Sequence, residues 1–220
     1  MSRERGLVYI FDMESGLADS LTRRILDMHQ YLIFRSWDMK LDADKEVAAY
    51  GPSLRALIIS GSARNINGKK NPIPTIPAAF LASGVPVLAI CYGMQYLAHL
   101  LGVPVVRCWD EPLPINRTKA TAKTDKGEQG VVTFQRQADS VLFRGLGTEF
   151  PVWMKHNWML GDVPPDWTVT GRTDKCPIAA MERGNLFALQ FHPEPANSLY
   201  GRIIIHNFLS FACGLKTPYF

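Results

Sequence analysis

Short apolar runs alternate with segments of helical spacing through the first half of the chain. Strand-like runs rich in β-branched and aromatic residues lie at 7–11, 31–34, 56–59 and 85–90. Apolar residues recur at helical spacing at 19–29, 43–50, 76–82 and 93–101. Strands that are apolar throughout are typical of parallel sheets buried on both faces. The pattern predicts an α/β fold with a mostly parallel central sheet and helices on both faces.

The second half of the chain has a different hydrophobic pattern, with short strand-like segments separated by turns. These segments lie at 116–122, 130–134, 152–154, 167–170, 178–182 and 186–190, and an apolar closing helix is predicted at 203–212. No internal repeat and no linker-like stretch interrupts the pattern. Residues 1–220 are therefore predicted to form a single domain.

Composition and charge exclude several classes of protein. Of the 220 residues, 47% are hydrophobic and 20% charged, as in an ordinary globular protein. The net charge is only +4 and the basic residues are scattered, which argues against a nucleic-acid partner. No apolar stretch reaches the roughly 18 residues of a membrane span, and the first residues are too polar for a signal peptide. We expect a cytoplasmic protein with no membrane partner.

The cysteines point to a reducing compartment and single out one candidate nucleophile. Cys91, Cys108, Cys176 and Cys213 form no C-x-x-C pair, and their spacing predicts neither a disulfide framework nor a metal site. Only Cys91 lies between an apolar strand and a helix, in the segment 86–95 (PVLAICYGMQ). Small residues at Ala89 and Gly93 permit the tight strand-to-helix turn of a nucleophile elbow. The helix N-terminus there favours a thiolate, although a buried core thiol would give the same local pattern.

A thiol nucleophile needs a base, and His192 is the best candidate among the five histidines. His29, His99 and His206 lie within helical patterns and are interpreted as structural. His192 follows an apolar strand and opens a proline-stiffened turn with the sequence HPEP. Glu194, two residues on, can accept from the imidazole and stabilise its charged form. Together, Cys91, His192 and Glu194 indicate thiol-based nucleophilic catalysis.

A turn at Gly61 and Ser62 supplies a third element of the predicted site. It follows the strand at 56–59, and its backbone N–H groups could stabilise an oxyanion. An ordinary strand-ending turn explains the same residues equally well. Both this turn and the elbow follow strands of the predicted parallel sheet, so they lie at the edge where ligands bind in such folds.

These segments together resemble the class I (triad-type) glutamine amidotransferases, which use Cys, His and Glu. The resemblance covers nearly the whole chain and extends to the glutaminase domains of GMP synthetases. Its segments are 9–12, 21–24, 36–38, 57–61, 86–95, 128–130, 139–146, 152–156, 176–180 and 190–194. It implies a single-domain class I glutamine amidotransferase fold with a nucleophile elbow.

The resemblance also implies a reaction and a role for each site residue. Glutamine would be hydrolysed to glutamate and ammonia through a γ-glutamyl thioester on Cys91, with His192 as acid and base and Glu194 orienting it. The implied oxyanion hole consists of the backbone amides of Gly61, Ser62 and Tyr92. The implied substrate-binding residues are Gln95 and the segment His156, Asn157 and Trp158.

The chain departs from the family pattern at three places. Gly-Ser-Ala at 61–63 replaces Gly-Gly-Pro, and Ala89 stands where the elbow commonly has Gly. Lys155-His156-Asn157-Trp158 replaces Ser-His-Gly-Asp. Asn tolerates left-handed backbone angles better than most residues, so substrate binding is expected to survive. The missing Asp weakens the expected coupling to a partner protein.

The implied substrate is glutamine, and the implied partner is a synthetase (ATP pyrophosphatase) subunit that uses the ammonia. The chain has no Ser-Gly-Gly-x-Asp-Ser loop of the pyrophosphatase type. ATP and Mg²⁺ are therefore expected only on the partner, with no cofactor and no metal in this chain. Two enzymatic alternatives stay open: a stand-alone γ-glutamyl hydrolase or peptidase, and an amidotransferase for another specialised acceptor. A non-catalytic subunit that kept the fold is a third, disfavoured by the intact Cys91, His192 and Glu194.

Overall fold

The computed structural model describes residues 6–28, 32–36, 45, 49–68, 73, 76–108 and 127–214. The strands are β1 (Leu7–Asp12), β2 (Leu32–Ser36), β3 (Leu54–Ile59), β4 (Val87–Ile90), β5 (Val105–Arg107), β6 (Gln129–Arg136), β7 (Glu149–Lys155), β8 (Trp158–Leu160), β9 (Thr168–Arg172), β10 (Ala180–Arg183) and β11 (Leu186–Leu189). The helices are α1 (Ala18–Leu26), α2 (Ala78–Leu81), α3 (Tyr92–Leu100) and α4 (Gly201–Cys213), with 3₁₀ turns at Gly51–Ser53 and Val141–Phe143. Within these ranges no helix has the length and apolarity needed to cross a membrane.

A nine-stranded sheet in the order β2-β1-β3-β4-β11-β10-β9-β6-β7 forms the centre of the fold. The strands from β2 to β11 in that order pair in parallel, and the remaining pairs are antiparallel, so the sheet is mixed. Strands β5 and β8 form a separate antiparallel pair. Because β3, β4 and β11 are parallel neighbours, their carboxyl ends meet at one edge, where ligands bind in such sheets.

Each face of the parallel part of the sheet is covered by its own apolar cluster. Alternation along β1 places Val8 and Ile10 in one cluster and Tyr9 and Phe11 in the other. The first cluster contains buried side chains of α1 and α4, and the second contains those of α2 and α3. Burial on both faces explains why β1, β3 and β4 read as continuous apolar runs. The predicted fold class is confirmed.

The predicted elements are found close to their expected positions, with two omissions. The helix predicted at 19–29 ends at Leu26, and the one at 76–82 is reduced to the single turn Ala78–Leu81. The short strands β5 and β8 were not predicted, because three residues carry too little periodicity to reveal a strand. The strand predicted at 116–122 and most of the helix at 43–50 lie outside the described residues.

Gly93 is expected to be essential for the packing of α3 on β3. An alanine Cβ at this position would lie 2.5 Å from the carbonyl oxygen of Ile59, and neither backbone can retreat without moving the sheet edge. We predict that Gly93→Ala lowers the free energy of unfolding by about 1–3 kcal/mol, as overpacking in a dense core does. The matched control is Gly147→Ala, whose Cβ would meet its nearest neighbour at an ordinary 3.5 Å. Equal midpoints of urea unfolding for the two variants would show that α3 packs less closely than described.

Candidate active site

Cys91 lies at the sharp turn between β4 and α3, in a strained backbone conformation. Its φ of 52° and ψ of −104° are unusual for a residue other than glycine. The turn is held by the Cys91 amide, which donates to the Leu189 carbonyl oxygen at 2.6 Å, and by the first turn of α3. Gly93 leaves room for β3 beneath the turn. The thiol is 5% exposed and borders a cavity, which matches the geometry expected of a nucleophile elbow.

His192 and Glu194 lie in the turn that follows β11, next to the end of β4. The His192 amide donates to the Trp153 carbonyl oxygen at 2.8 Å, and this anchors the turn to β7. Its Nδ1 lies 2.8 Å from Glu194 Oε1, so the imidazole donates from Nδ1 and leaves Nε2 for a different partner. Glu194 is 1% exposed. A carboxylate buried this deeply keeps its charge only beside a positive or donating partner.

Arg24 of α1 secures the backbone of this turn. Its Nε donates to the Glu194 carbonyl oxygen at 2.7 Å, and its Nη2 donates to the Pro195 carbonyl oxygen. Gly201, at the start of α4, packs so closely on the other side that a Cβ there would overlap the Pro193 carbonyl oxygen. The His192–Glu194 turn is thus clamped between two helices on one face of the sheet.

Charges within the site favour a protonated His192. Burial lowers the pKa of His192, but the Glu194 carboxylate and the Cys91 sulfur outweigh it and hold this pKa well above its ordinary value. The environments of Cys108, Cys176 and Cys213 disfavour the thiolate form. Burial raises the pKa of Cys108 to about 12 and that of Cys213 to about 11, and it also raises the pKa of Cys176. These three thiols are therefore poor nucleophiles.

Gly61 and Ser62 follow β3 and lie directly beside the thiol and the imidazole. A Cβ on Gly61 would be 2.9 Å from His192 Cε1 and 3.6 Å from Cys91 Cβ, so only glycine fits without displacing the imidazole. Among the described residues, none accepts a hydrogen bond from the Gly61 or Ser62 amide. Tyr92 contributes the first amide of α3. The three residues predicted to supply amides to an oxyanion hole therefore lie close to Cys91 in the fold.

A cavity of about 370 Å³ opens onto Cys91 and His192. It is lined by Ser62 and Tyr92, by Gln95 of α3 and by the segment His156, Asn157 and Trp158. The loop after β1 and Arg64 also line it. Arg64 forms a two-pronged ion pair with Glu14 at 2.7 and 2.9 Å. Gly61 and Glu194 lie behind the cavity wall. The volume suits a small polar molecule of amino-acid size.

The predicted substrate residues divide into two groups by how they face the cavity. Gln95 is 4% exposed, and its Nε2 donates to the Trp158 carbonyl oxygen at 2.9 Å. Trp158 lies under the guanidinium of Arg107 at 5.1 Å, and Asn157 is exposed at the rim. The His156 imidazole is instead turned into the interior. Its side chain therefore supports the loop that borders the cavity.

His156 belongs to a second buried cluster with Glu128 and Cys176. Ligand atoms of these three residues lie within 4.8 Å of one another, and their chemical types are ones that bind zinc. Each is already engaged by protein groups: His156 Nδ1 with the Trp158 carbonyl oxygen, Glu128 with the Thr173 hydroxyl, and Cys176 Sγ with the Ile178 carbonyl oxygen. The cluster thus fastens the segment after β7 to the loop before β10.

Three contributors to this site were not assigned a role from the sequence. Gln190 and Arg24 lie in recognised segments, but their contacts depend on tertiary packing. The third is the pair Asp12 and Ser60, in which the Ser60 hydroxyl donates to Asp12 Oδ1 at 2.9 Å and accepts from the Met13 amide at 2.8 Å. This pair joins the ends of β1 and β3 just before Gly61. The positions at strand ends were a usable signal for Ser60 and Gln190.

Solved structures with the same fold share this architecture. The crystal structure of a Thermoplasma acidophilum protein assigned as a GMP synthase subunit superposes with a TM-score of 0.72, covering 96% of this chain and 95% of its own at 23% identity. A glutamine amidotransferase of Thermotoga maritima gives a TM-score of 0.64 over 93% of this chain and 81% of its own, at 18% identity.

Sequence relatives carry the relationship further. A glutamine-hydrolysing GMP synthase of Thermomicrobium roseum is 36% identical over 94% of this chain, and one of Thermobifida fusca is 32% identical over 95%. This chain covers 35% and 36% of those proteins, so it spans about a third of their length. A family model for class I glutamine amidotransferases matches residues 9–211, from β1 to α4. With that match around a Cys-His-Glu constellation, the chain belongs to the class I glutamine amidotransferase family.

Proposed function

We propose that this chain hydrolyses glutamine to glutamate and ammonia and supplies the ammonia to a synthetase of the GMP synthase type. The observation that carries the proposal is the constellation of Cys91, His192 and Glu194 at the edge of the sheet. The thiol of a residue with strained backbone, a buried imidazole and a buried carboxylate come together beside a cavity of amino-acid size. Such a thiol–imidazole pair is the arrangement that attacks amide carbonyl carbons.

The reaction proceeds in two halves on Cys91. The thiolate attacks the side-chain amide carbon of glutamine and forms a C–S bond, and the carbonyl oxygen becomes an oxyanion. The oxyanion accepts hydrogen bonds from the amides of Gly61, Ser62 and Tyr92. His192 gives its proton to the amide nitrogen, which leaves as ammonia and produces the γ-glutamyl thioester. His192 then removes a proton from water, which attacks the thioester carbon and releases glutamate and the thiolate.

Glu194 and the cavity wall support this chemistry. Glu194 holds the imidazole in one orientation and favours its charged form, which the first half of the reaction consumes. Gln95 and the segment 156–158 line the same cavity as Cys91. They are the proposed binding groups for the α-amino and α-carboxylate ends of glutamine.

The acceptor of the ammonia is proposed from the relatives named above. Both curated relatives are glutamine-hydrolysing GMP synthases about three times as long as this chain, which matches only one part of them. ATP and Mg²⁺ are proposed to bind the synthetase, where XMP is aminated, and this chain needs no cofactor for its own half of the reaction. The synthetase is the proposed protein partner.

Replacement of the nucleophile should separate glutamine use from ammonia use. We predict that Cys91→Ala lowers glutamate release by about 10⁴-fold or more, as loss of a nucleophile does in other acyl-transfer enzymes. In the presence of the synthetase, XMP amination with free ammonium should continue at the wild-type rate. The matched control is Cys213→Ala, which removes a thiol of raised pKa far from the cavity. Wild-type glutaminase activity in Cys91→Ala would exclude the proposed mechanism.

A second experiment tests the proposed partner. Glutamate release should be measured for the chain alone and then with a synthetase subunit, XMP, ATP and Mg²⁺. We predict a rise of roughly tenfold or more on addition of all components, the size of a typical coupling between sites. Rapid cleavage of γ-glutamyl peptides without a partner would indicate a stand-alone hydrolase. No glutamate release in any setting would indicate a protein that kept the fold without the activity.

The pH profile should report the charge of His192. Because Glu194 raises the pKa of His192, the imidazolium is present below that pKa and is lost as pH rises through it. We predict that Glu194→Gln moves the high-pH limb of kcat/KM for glutamine to lower pH, because the carboxylate that raises the pKa of His192 is removed. Glu182→Gln, which changes a half-buried carboxyl on β10, is the matched control. An unchanged limb would mean that Glu194 has no electrostatic role.

A further inference from the structure

Gln190 stands beside Cys91 because of how β11 pairs with β4. The parallel register places Leu189 opposite Ile90, so the next residues, Gln190 and Cys91, are neighbours at the edge of the sheet. The Cys91 amide donates to Leu189, and the Gln190 amide donates to Ala179 at 2.9 Å. Gln190 is 0% exposed. The backbone that carries the Gln190 side chain is therefore fixed on both sides by hydrogen bonds to neighbouring segments, next to the Cys91 sulfur.

The hydrogen bonds of Gln190 determine which end of its amide meets the sulfur. Gln190 Oε1 accepts from Gln95 Nε2 at 3.1 Å, and Gln95 Nε2 also donates to the Trp158 carbonyl oxygen. With its oxygen taken by a donor, Gln190 presents Nε2 to Cys91 Sγ, at 3.5 Å. The chain of donors runs from Gln95 through Gln190 to the sulfur.

Hydrogen bonds of this kind discriminate between the two forms of the nucleophile. A thiol sulfur is a weak acceptor, whereas a thiolate is a charged one, so an N–H donor stabilises the thiolate selectively. His192 supplies one favourable contact to the sulfur, but it gives up its proton during the first half of the reaction. Gln190 has no proton to lose and keeps donating throughout.

We propose that Gln190 is a further catalytic residue, a permanent hydrogen-bond donor that stabilises the Cys91 thiolate, with Gln95 as the positioning residue that orients it. The inference rests on the proposed function, in which Cys91 is the nucleophile. It also assigns Gln95 a second task besides lining the cavity. Glutamine bound against Gln95 would contact the same donor chain that supports the sulfur.

The test follows the reactivity of the thiol and does not depend on glutamine turnover. The rate of Cys91 alkylation by iodoacetamide is measured against pH in the full chain, with Cys91→Ala giving the background. Gln190→Met removes the donor at similar volume and should raise the pH midpoint of alkylation by about one unit, the size of a hydrogen bond to a charged group. Gln190→Glu places an acceptor-only carboxylate at the sulfur and should raise the midpoint further.

Two further variants separate this role from a packing role. Gln95→Met removes the group that orients Gln190 and should shift the midpoint in the same direction by a smaller amount. Gln137→Met changes an exposed glutamine and should not shift it. Thermal unfolding of each variant shows whether it is folded, and kcat/KM for glutamine should fall about tenfold in Gln190→Met.

The outcomes distinguish this inference from the proposed function. Midpoints that agree within about 0.2 units for wild type and folded Gln190→Met and Gln190→Glu would overturn the role of Gln190, whatever the glutaminase activity. A shifted midpoint in a chain that does not hydrolyse glutamine would support the donor and reject the proposed function instead. A shift of equal size in Gln137→Met would also overturn the inference, because it would show that the effect is unspecific.

Discussion

Parallel pairing of β3, β4 and β11 is the constraint on which the rest of the site depends. Their registers align Ile59 with Ala89 and Ile90 with Leu189, so three chain segments leave the sheet at the same level. The three segments that form the site follow directly after those residues. They are the Gly61 turn, the Cys91 elbow and the Gln190–His192 segment. No flexible loop has to close to bring them together. The reacting groups are positioned by sheet hydrogen bonds, which are among the least mobile parts of a fold.

Close convergence of this kind has two physical costs, and the structure shows how each is met. The first is space, because backbone segments come nearer than side chains allow, and glycine stands at Gly61, Gly93 and Gly201. The second is buried charge, because Glu194 is taken out of water. His192 offsets it directly, and Arg24 fixes the backbone that carries it. Close packing at the glycines therefore makes the site rigid, and the His192–Glu194 pair allows a charge to be buried in it.

The elements that the sequence predicts well are those whose signal is local. A window of about ten residues is enough to recognise the buried parallel strands, the small residues of the elbow and the H-P-E turn. The structure brings those segments together. Contacts across long separations left no such mark. The inward turn of His156 depends on Glu128, 28 residues away, and the bond of Gln190 to Cys91 spans 99 residues. Strands β5 and β8 are likewise defined by their pairing with each other, which their short sequences do not reveal.

The segment 155–158 shows why a departure from a sequence pattern need not disturb chemistry. Where the resembled domains have Ser-His-Gly-Asp, this chain has Lys155, His156, Asn157 and Trp158. The contact that reaches the cavity interior is the Trp158 carbonyl oxygen, which accepts from Gln95 and also lies 3.0 Å from His156 Nδ1. A backbone carbonyl is available whatever the side chain. The substituted side chains of Lys155 and Asn157 are exposed instead, and the Trp158 ring stacks with Arg107 at the rim. The departures therefore alter the surface around the cavity mouth and leave the support of Gln95 unchanged.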